Sequence, residues 1–190
     1  MIGRLFVVAG PSGVGKGTLI ARARQLAPGL TVATSATTRP RRPDERDGHE
    51  YHFLSDEEFA RRVQTGEFLE HVSFADNRYG TLRSEVEQRL RDGGSVVLEI
   101  EVAGAREIRR QMPNAVLVFV APPTMADLEA RLRGRRQNTE TEIRDRLRIA
   151  AEEMKAVAEF DHVIVNDDAD RAAADLAQLM RAAMTAEEHP

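Results

Sequence analysis

The sequence predicts an α/β protein, a parallel β-sheet with helices on both faces. Short, nearly continuous apolar runs at Leu5–Ala9, 95–100, 115–120 and His162–Val165 have the length and β-branched content of strands buried on both faces. Helical periodicity fills the stretches between them, and that alternation builds a parallel sheet through crossover connections. A glycine-rich string, GPSGVGKGT, joins the first run to the first helical stretch.

Each element has a local reason. MIGRLFVVAG runs straight into the glycines, so it reads as a buried strand and not as a cleavable leader. Residues 18–21 (TLIA) open a helix, and 31–36 is a weaker strand candidate. Residues 37–54 break the rhythm with a polar loop rich in Arg and Pro, long enough to read as a binding element. Ser55 to Glu58 has the pattern of a capping box opening a helix to about residue 65. Residues 82–91 and 103–111 read as short amphipathic helices. Thr124, after Pro122 and Pro123, is placed to cap a helix to 133, with Asp127 in its first turn. Thr139 and Glu142 suggest a second capping box. Behind it Ile143, Leu147, Ala150, Met154 and Val157 recur at helical spacing. An Ala-rich helix occupies 169–184.

Composition narrows the function. A chain of 190 residues suits one domain with a sizeable core. The absence of cysteine excludes disulfides, thiol nucleophiles and iron–sulfur clusters. Charged residues are 31% and hydrophobic ones 42%, a globular balance. The net charge of −4 argues against a general nucleic-acid binder. No apolar run approaches the roughly 20 residues of a membrane-spanning helix, so a cytoplasmic protein without a membrane partner is expected. The five histidines show no metal spacing. There are two lysines, Lys16 and Lys155, against 25 arginines. That bias makes a lysine in a special position stand out.

Lys16 is in such a position. Gly10, Ser12, Gly13, Val14, Gly15, Lys16, Gly17 and Thr18 follow a buried strand and open a helix, the context a phosphate-binding P-loop requires. Glycines let backbone N–H groups turn inward on phosphate oxygens, and the helix N-terminus adds its positive dipole end. Lys16 then reaches the β- and γ-phosphates of a nucleoside triphosphate. The usual motif places Ser or Thr directly after the lysine as a Mg2+ ligand; here that residue is Gly17, and the hydroxyl comes one residue later, at Thr18.

Over nearly its whole length the chain resembles guanylate kinases, P-loop enzymes that move a phosphoryl group from ATP to GMP. The resemblance rests on GPSGVGKGT, SATTRPRRP, DGHEYHF, FLEHVSF, NRYGT, VVLEIEVAG, APPTMADLEARLRGR and HVIVNDD, in that order. It implies a P-loop NTPase fold with a GMP-binding insertion at 35–82, a mobile lid at 131–147, and a core of 1–34, 83–130 and 148–186. It also implies ATP with Mg2+, and GMP or dGMP as acceptor. The resemblance assigns the GMP phosphate to Arg39, Arg42, Tyr51 and Tyr79. Arg offers planar, bidentate phosphate contacts, and these are the chain's two tyrosines.

Glu70 matches the position that accepts both donors of the guanine edge, N1–H and the 2-amine. Adenine has neither, and a site built around such pairing discriminates by about 10⁴ or more. Ser35 and Thr81 match the hydroxyls completing the base pocket. Glu99 and Glu101, two residues apart at a strand end, share one side of the chain. By resemblance Glu99 faces GMP, while Glu101, with Thr18, lies near the metal or its waters. Both positions commonly hold Asp in the family. Arg131, Arg135 and Arg146 match the lid and clamp arginines that deliver charge to the transferring group, with Lys16 and Arg39 the remaining cations of catalysis. Asn166 matches a residue that reads adenine. Two rival readings are a non-catalytic phosphopeptide-binding module of the same fold and a sugar-phosphate kinase. The sequence leaves oligomeric state open.

Overall fold

The computed structural model describes residues 3–74, 76–134 and 139–185. Its main sheet has five parallel strands: β1 (Leu5–Ala9), β2 (Leu30–Val32), β7 (Ser95–Glu99), β8 (Val116–Ala121) and β9 (His162–Val165). They lie in the order β2-β7-β1-β8-β9, which puts β1 at the centre. All five residues of β1 are buried.

Alternation along β1 divides the core in two. Phe6 and Val8 pack on Leu19, Ile20 and Ala23 of α1 (Lys16–Leu26) and on Leu176, Ala177 and Met180 of α7 (Ala169–Thr185). Leu5, Val7 and Ala9 face the other layer, where Val86 and Leu90 of α3 (Arg83–Arg91) and Ala105 and Ile108 of α4 (Val102–Gln111) pack. Each large side chain so buried contributes about 1.5–3 kcal/mol. The α/β fold with helices on both faces is thus the observed one.

A second, four-stranded sheet rises from the edge of the first, in the order β4 (His52–Phe53), β3 (Ala36–Thr37), β6 (Asn77–Leu82), β5 (Phe68–Phe74). With α2 (Asp56–Gln64) it encloses its own small core of Ala36, Phe59, Phe68 and Leu82. The Phe59 and Phe68 rings stack 4.4 Å apart. A register shift between Phe68 and Glu70 pairs Phe68 with Leu82 but Glu70 with Thr81. The extra residue, Leu69, is sent into the main core. The two cores therefore interlock through one bulge, a device that re-aims side chains near functional sites.

Two expectations are corrected. Residues 31–36 are not one strand: β2 ends at Val32 in the main sheet and β3 begins at Ala36 in the second. Three residues suffice because Ala33 N–H still donates to Val97 O (3.0 Å) before the chain departs. The hairpin β5–β6 was not anticipated, since its mixed polar pattern reflects a sheet with one face toward a polar cleft. The helices α5 (Met125–Gly134) and α6 (Glu140–Met154) flank residues 135–138. Thr139 forms the expected capping box with Glu142, and the Thr124 hydroxyl accepts from Asp127 N–H (3.1 Å). Val157 falls in a 3₁₀ turn, Val157–Glu159, and not in α6. Among the described residues no helix is long and apolar enough to cross a membrane.

Candidate active site

A cleft of about 550 Å³ lies between the C-terminal ends of the main strands and the second sheet. Ligands of open parallel sheets bind at such a crevice. The glycine loop forms one wall. Gly10 and Gly15 take φ of 139° and 101°, conformations open to glycine. A side chain at Gly10 would collide with Val120 O, and one at Gly15 with Asn166 Nδ2. Lys16, the first residue of α1, is 7% exposed. Its ammonium is folded back on the loop, donating to Gly10 O (2.5 Å) and Pro11 O (3.3 Å). No acidic residue of α1 itself lies in its first turn, and its N-cap residue Gly15 has no side chain to offer. The helix start turns its positive dipole end to the cleft, where the Gly17 N–H is already taken by the Glu99 carboxylate from the neighbouring strand.

The opposite wall comes from the second sheet, with Ser35, Tyr51, Glu70 and Tyr79 facing the cleft. The bulge at Leu69 sets Glu70 opposite Thr81, whose hydroxyl donates to Glu70 Oε1 at 2.8 Å. Glu70 is 3% exposed, and burial pushes its carboxyl up to about 7 despite the hydrogen bonds from Thr81. Its Oε2 lies against α4 where Gly104 leaves room; a Cβ there would sit 2.7 Å away. Tyr51 and Tyr79 meet edge to face at 6.1 Å. Burial also raises the Tyr51 hydroxyl's pKa, with the nearby Tyr79 and Glu99 adding to the effect.

Behind Tyr51, Arg39 sits 5.5 Å from that ring and donates to Glu45 Oε1 (2.7 Å) and Pro40 O (2.8 Å). Glu45 Oε2 accepts from Arg42 N–H (2.8 Å), so a carboxylate ties the arginine loop together. The Arg42 residue itself is exposed. Glu99 and Glu101 lie at the cleft floor. Glu99 opens to the cleft yet is crowded by protein, and this burial raises its pKa, partly countered by Lys16. Glu99 also accepts a hydrogen bond from Gly17 N–H.

The cleft therefore gathers Ser12, Gly13, Gly15, Lys16, Gly17 and Thr18 on one side, and Ser35, Tyr51, Glu70, Tyr79, Glu99 and Glu101 on the other. Thr81 stands behind Glu70. Gly10 and Val14 shape the loop from outside the lining. Arg131 reaches from α5 to Val14 O (3.1 Å) and Asn166 O (2.6 Å). The Asn166 amide nitrogen donates to Val14 O (2.7 Å), and its Oδ1 is buried without a partner among the described residues. Arg146 is half-buried on α6. Arg135 lies outside the described residues.

Sequence reasoning missed four residues of this neighbourhood. Glu45, which binds Arg39, and Glu50, which lines the cleft, sit in a charged loop whose pattern does not distinguish them from solvated carboxylates. Gly104 has no sequence mark of its tight approach to Glu70. Glu153, near the end of α6, hydrogen-bonds with Glu101, and burial beside that second carboxylate pushes it up to about 7. Next to Glu152 it looked like an ordinary helix surface.

The guanylate kinase family model matches residues 2–183. A guanylate kinase of Frankia casuarinae is 52% identical over 176 residues, covering 93% of this chain and 96% of that protein. One from a Synechococcus strain is 48% identical over 178 residues, covering 94% and 82%. The crystal structure of guanylate kinase from Anaplasma phagocytophilum superposes with a TM-score of 0.78 at 30% identity, covering 97% of this chain and 88% of that one. A likeness of sequence and fold that runs through both walls of the cleft leaves one assignment: this chain belongs to the guanylate kinase family.

Proposed function

We propose that the protein transfers the γ-phosphoryl group of ATP to GMP, giving ADP and GDP. The observation that carries this is the pairing, across one cleft, of the Lys16 phosphate loop with the buried Glu70–Thr81 pair. A triphosphate on the loop would take the N–H groups at the start of α1, and its phosphates would draw the Lys16 ammonium off its own carbonyls. Guanine entering the second sheet would donate N1–H and its amine to Glu70, with Ser35 and Thr81 completing the pocket. Tyr51, Tyr79, Arg39 and Arg42 would hold the GMP phosphate.

A GMP phosphate oxygen then attacks the γ-phosphorus while the bond to the β–γ bridging oxygen breaks, and that oxygen leaves as part of ADP. No side-chain base is needed, because the nucleophile is already anionic. The protein contributes alignment and charge, from Lys16, Arg39 and the lid arginines Arg131, Arg135 and Arg146. Closure of the lid over 131–147 would keep water from replacing GMP as acceptor. Among the described residues no three acidic, His or Cys groups form a metal cage. Glu99, Glu101 and Thr18 border the loop, a donor set that suits Mg2+ carried on phosphate oxygens and water. When bound, Mg2+ neutralises charge between the β- and γ-phosphates.

A coupled ADP-release assay with ATP and a panel of acceptors tests the reading. GMP-dependent turnover well above that with AMP or a sugar phosphate is expected. ADP release that does not depend on GMP would overturn it.

A further inference from the structure

Gly17 is the second residue of α1, at the position from which a P-loop hydroxyl points toward the phosphates. Its missing side chain leaves a space, and the space is filled. A Cβ built on Gly17 would lie 3.1 Å from Glu99 Oε2 and 3.4 Å from Oε1. The carboxylate thus rests directly over residue 17, held there by the Gly17 N–H.

Topology delivers it. β7 pairs in parallel with β1, with Glu99 level with Val8, so its C-terminal end emerges beside the start of the glycine loop. Glu99 is the last residue of β7 and turns into the cleft. Glutamate reaches one C–C bond, about 1.5 Å, further than aspartate would. Thr18, the next hydroxyl along, projects from a different side of the helix, one residue and about 100° on. A Mg2+ ion characteristically takes only one or two protein carboxylates, completing its shell with phosphate oxygens and water.

We infer that Gly17 and Glu99 work as one unit: the Glu99 carboxylate, laid into the space the glycine leaves, supplies the protein oxygen to phosphate-bound Mg2+ that a hydroxyl after the lysine otherwise gives. This rests on the proposed ATP-binding role of the loop. It replaces a neutral oxygen from the loop with an anionic one from the neighbouring strand. The loop and strand departures at 17 and 99 then have a single cause.

The test uses Mn2+ as a spectroscopic probe, titrated by electron paramagnetic resonance into the full-length protein saturated with ADP, with no GMP present. Glu99→Ala should weaken Mn2+ binding to the ADP complex by about tenfold or more. Metal-free ADP affinity, measured in parallel with chelator, should stay within about twofold and reports that the loop is intact. Gly17→Ser added to Glu99→Ala should recover most of the lost Mn2+ affinity, because the freed space now admits a hydroxyl. Unchanged Mn2+ affinity in Glu99→Ala would overturn the inference. So would an equal loss of ADP affinity with and without metal, or a double variant no better than the single. GMP-dependent turnover of the unaltered protein is scored separately, so failure of the kinase reading and failure of the Gly17–Glu99 unit are distinguishable.

Discussion

Arg39 and Glu45 close the arginine loop on itself, with Nη2 and Oε1 2.7 Å apart and side chains only 17% and 11% exposed. Glu45 holds its pKa well below the usual carboxylate range, chiefly through the Arg39 hydrogen bond and then the Arg42 N–H. The same pairing fixes the guanidinium beside Tyr51, so the arginine proposed to hold the GMP phosphate is oriented by the protein's own carboxylate. Glu45→Ala should weaken GMP binding on the order of tenfold, the scale of one charge-assisted hydrogen bond. Guanosine, which lacks the phosphate, should bind as before. Isothermal titration with both ligands checks this; equal losses for GMP and guanosine would show that Glu45 merely supports the fold.

Glu70 sets a pH dependence. Its carboxyl titrates at about 7 in the folded protein against 4.5 for the unperturbed group. Guanine's two donors require the ionised form. Below pH 7 binding must expel a proton, so affinity should fall up to about tenfold per pH unit and level off above pH 7. The stability of the unliganded protein runs the other way. A raised carboxyl pKa contributes stability that is complete below pH 4.5 and lost as pH rises to about 7, a difference of about 3 kcal/mol. Glu70→Gln should remove that slope and cost GMP binding heavily while leaving ATP binding intact. Guanosine titrations from pH 5.5 to 8.5 make the measurement, since the phosphate of GMP itself titrates near 6. A flat profile would refute the role given to Glu70.

The main sheet was legible because its central strands are buried on both faces, which writes them into the sequence as unbroken apolar runs such as Leu5–Ala9. The edge strand His162–Val165 was expected to be buried in the same way, but only its Ile164 is, with Val163 and Val165 left exposed. The phosphate loop was legible because its glycines and Lys16 are consecutive. The hairpin bearing Glu70, Tyr79 and Thr81 was not, because one face of it must stay polar to line the cleft and so lacks a clean period. Its residues were reached through resemblance alone. Glu45, Gly104 and Glu153 matter through partners 6 to 52 positions away (Arg39, Glu70 and Glu101), a proximity that only the folded chain creates.

Gly104 gives a test of fit. In an exposed helix Gly→Ala gains about 1 kcal/mol. Here the new methyl would meet Glu70 Oε2 at 2.7 Å. Gly104→Ala should therefore gain little or no stability and should raise KM for GMP more than KM for ATP. The expected GMP penalty is on the order of tenfold, since a displaced carboxylate cannot accept both guanine donors in line. Steady-state kinetics with each substrate varied in turn decides it, and an unchanged KM for GMP would mean the carboxylate shifts freely.

Lys16 separates catalysis from folding. The residue is 7% exposed, and its ammonium donates to the loop carbonyls of Gly10 and Pro11 at 2.5 and 3.3 Å. Lys16→Met keeps the length and apolar stem of the side chain and removes the charge. Relieving a buried cation offsets the two lost hydrogen bonds, so the melting temperature should stay within a few degrees. Turnover should fall by about 10²–10³ or more, because the charge that meets the β- and γ-phosphates in the transition state is gone. Thermal melts and single-turnover kinetics on the same preparation check both halves. Retained phosphoryl transfer in a folded Lys16→Met protein would contradict the assignment of the loop.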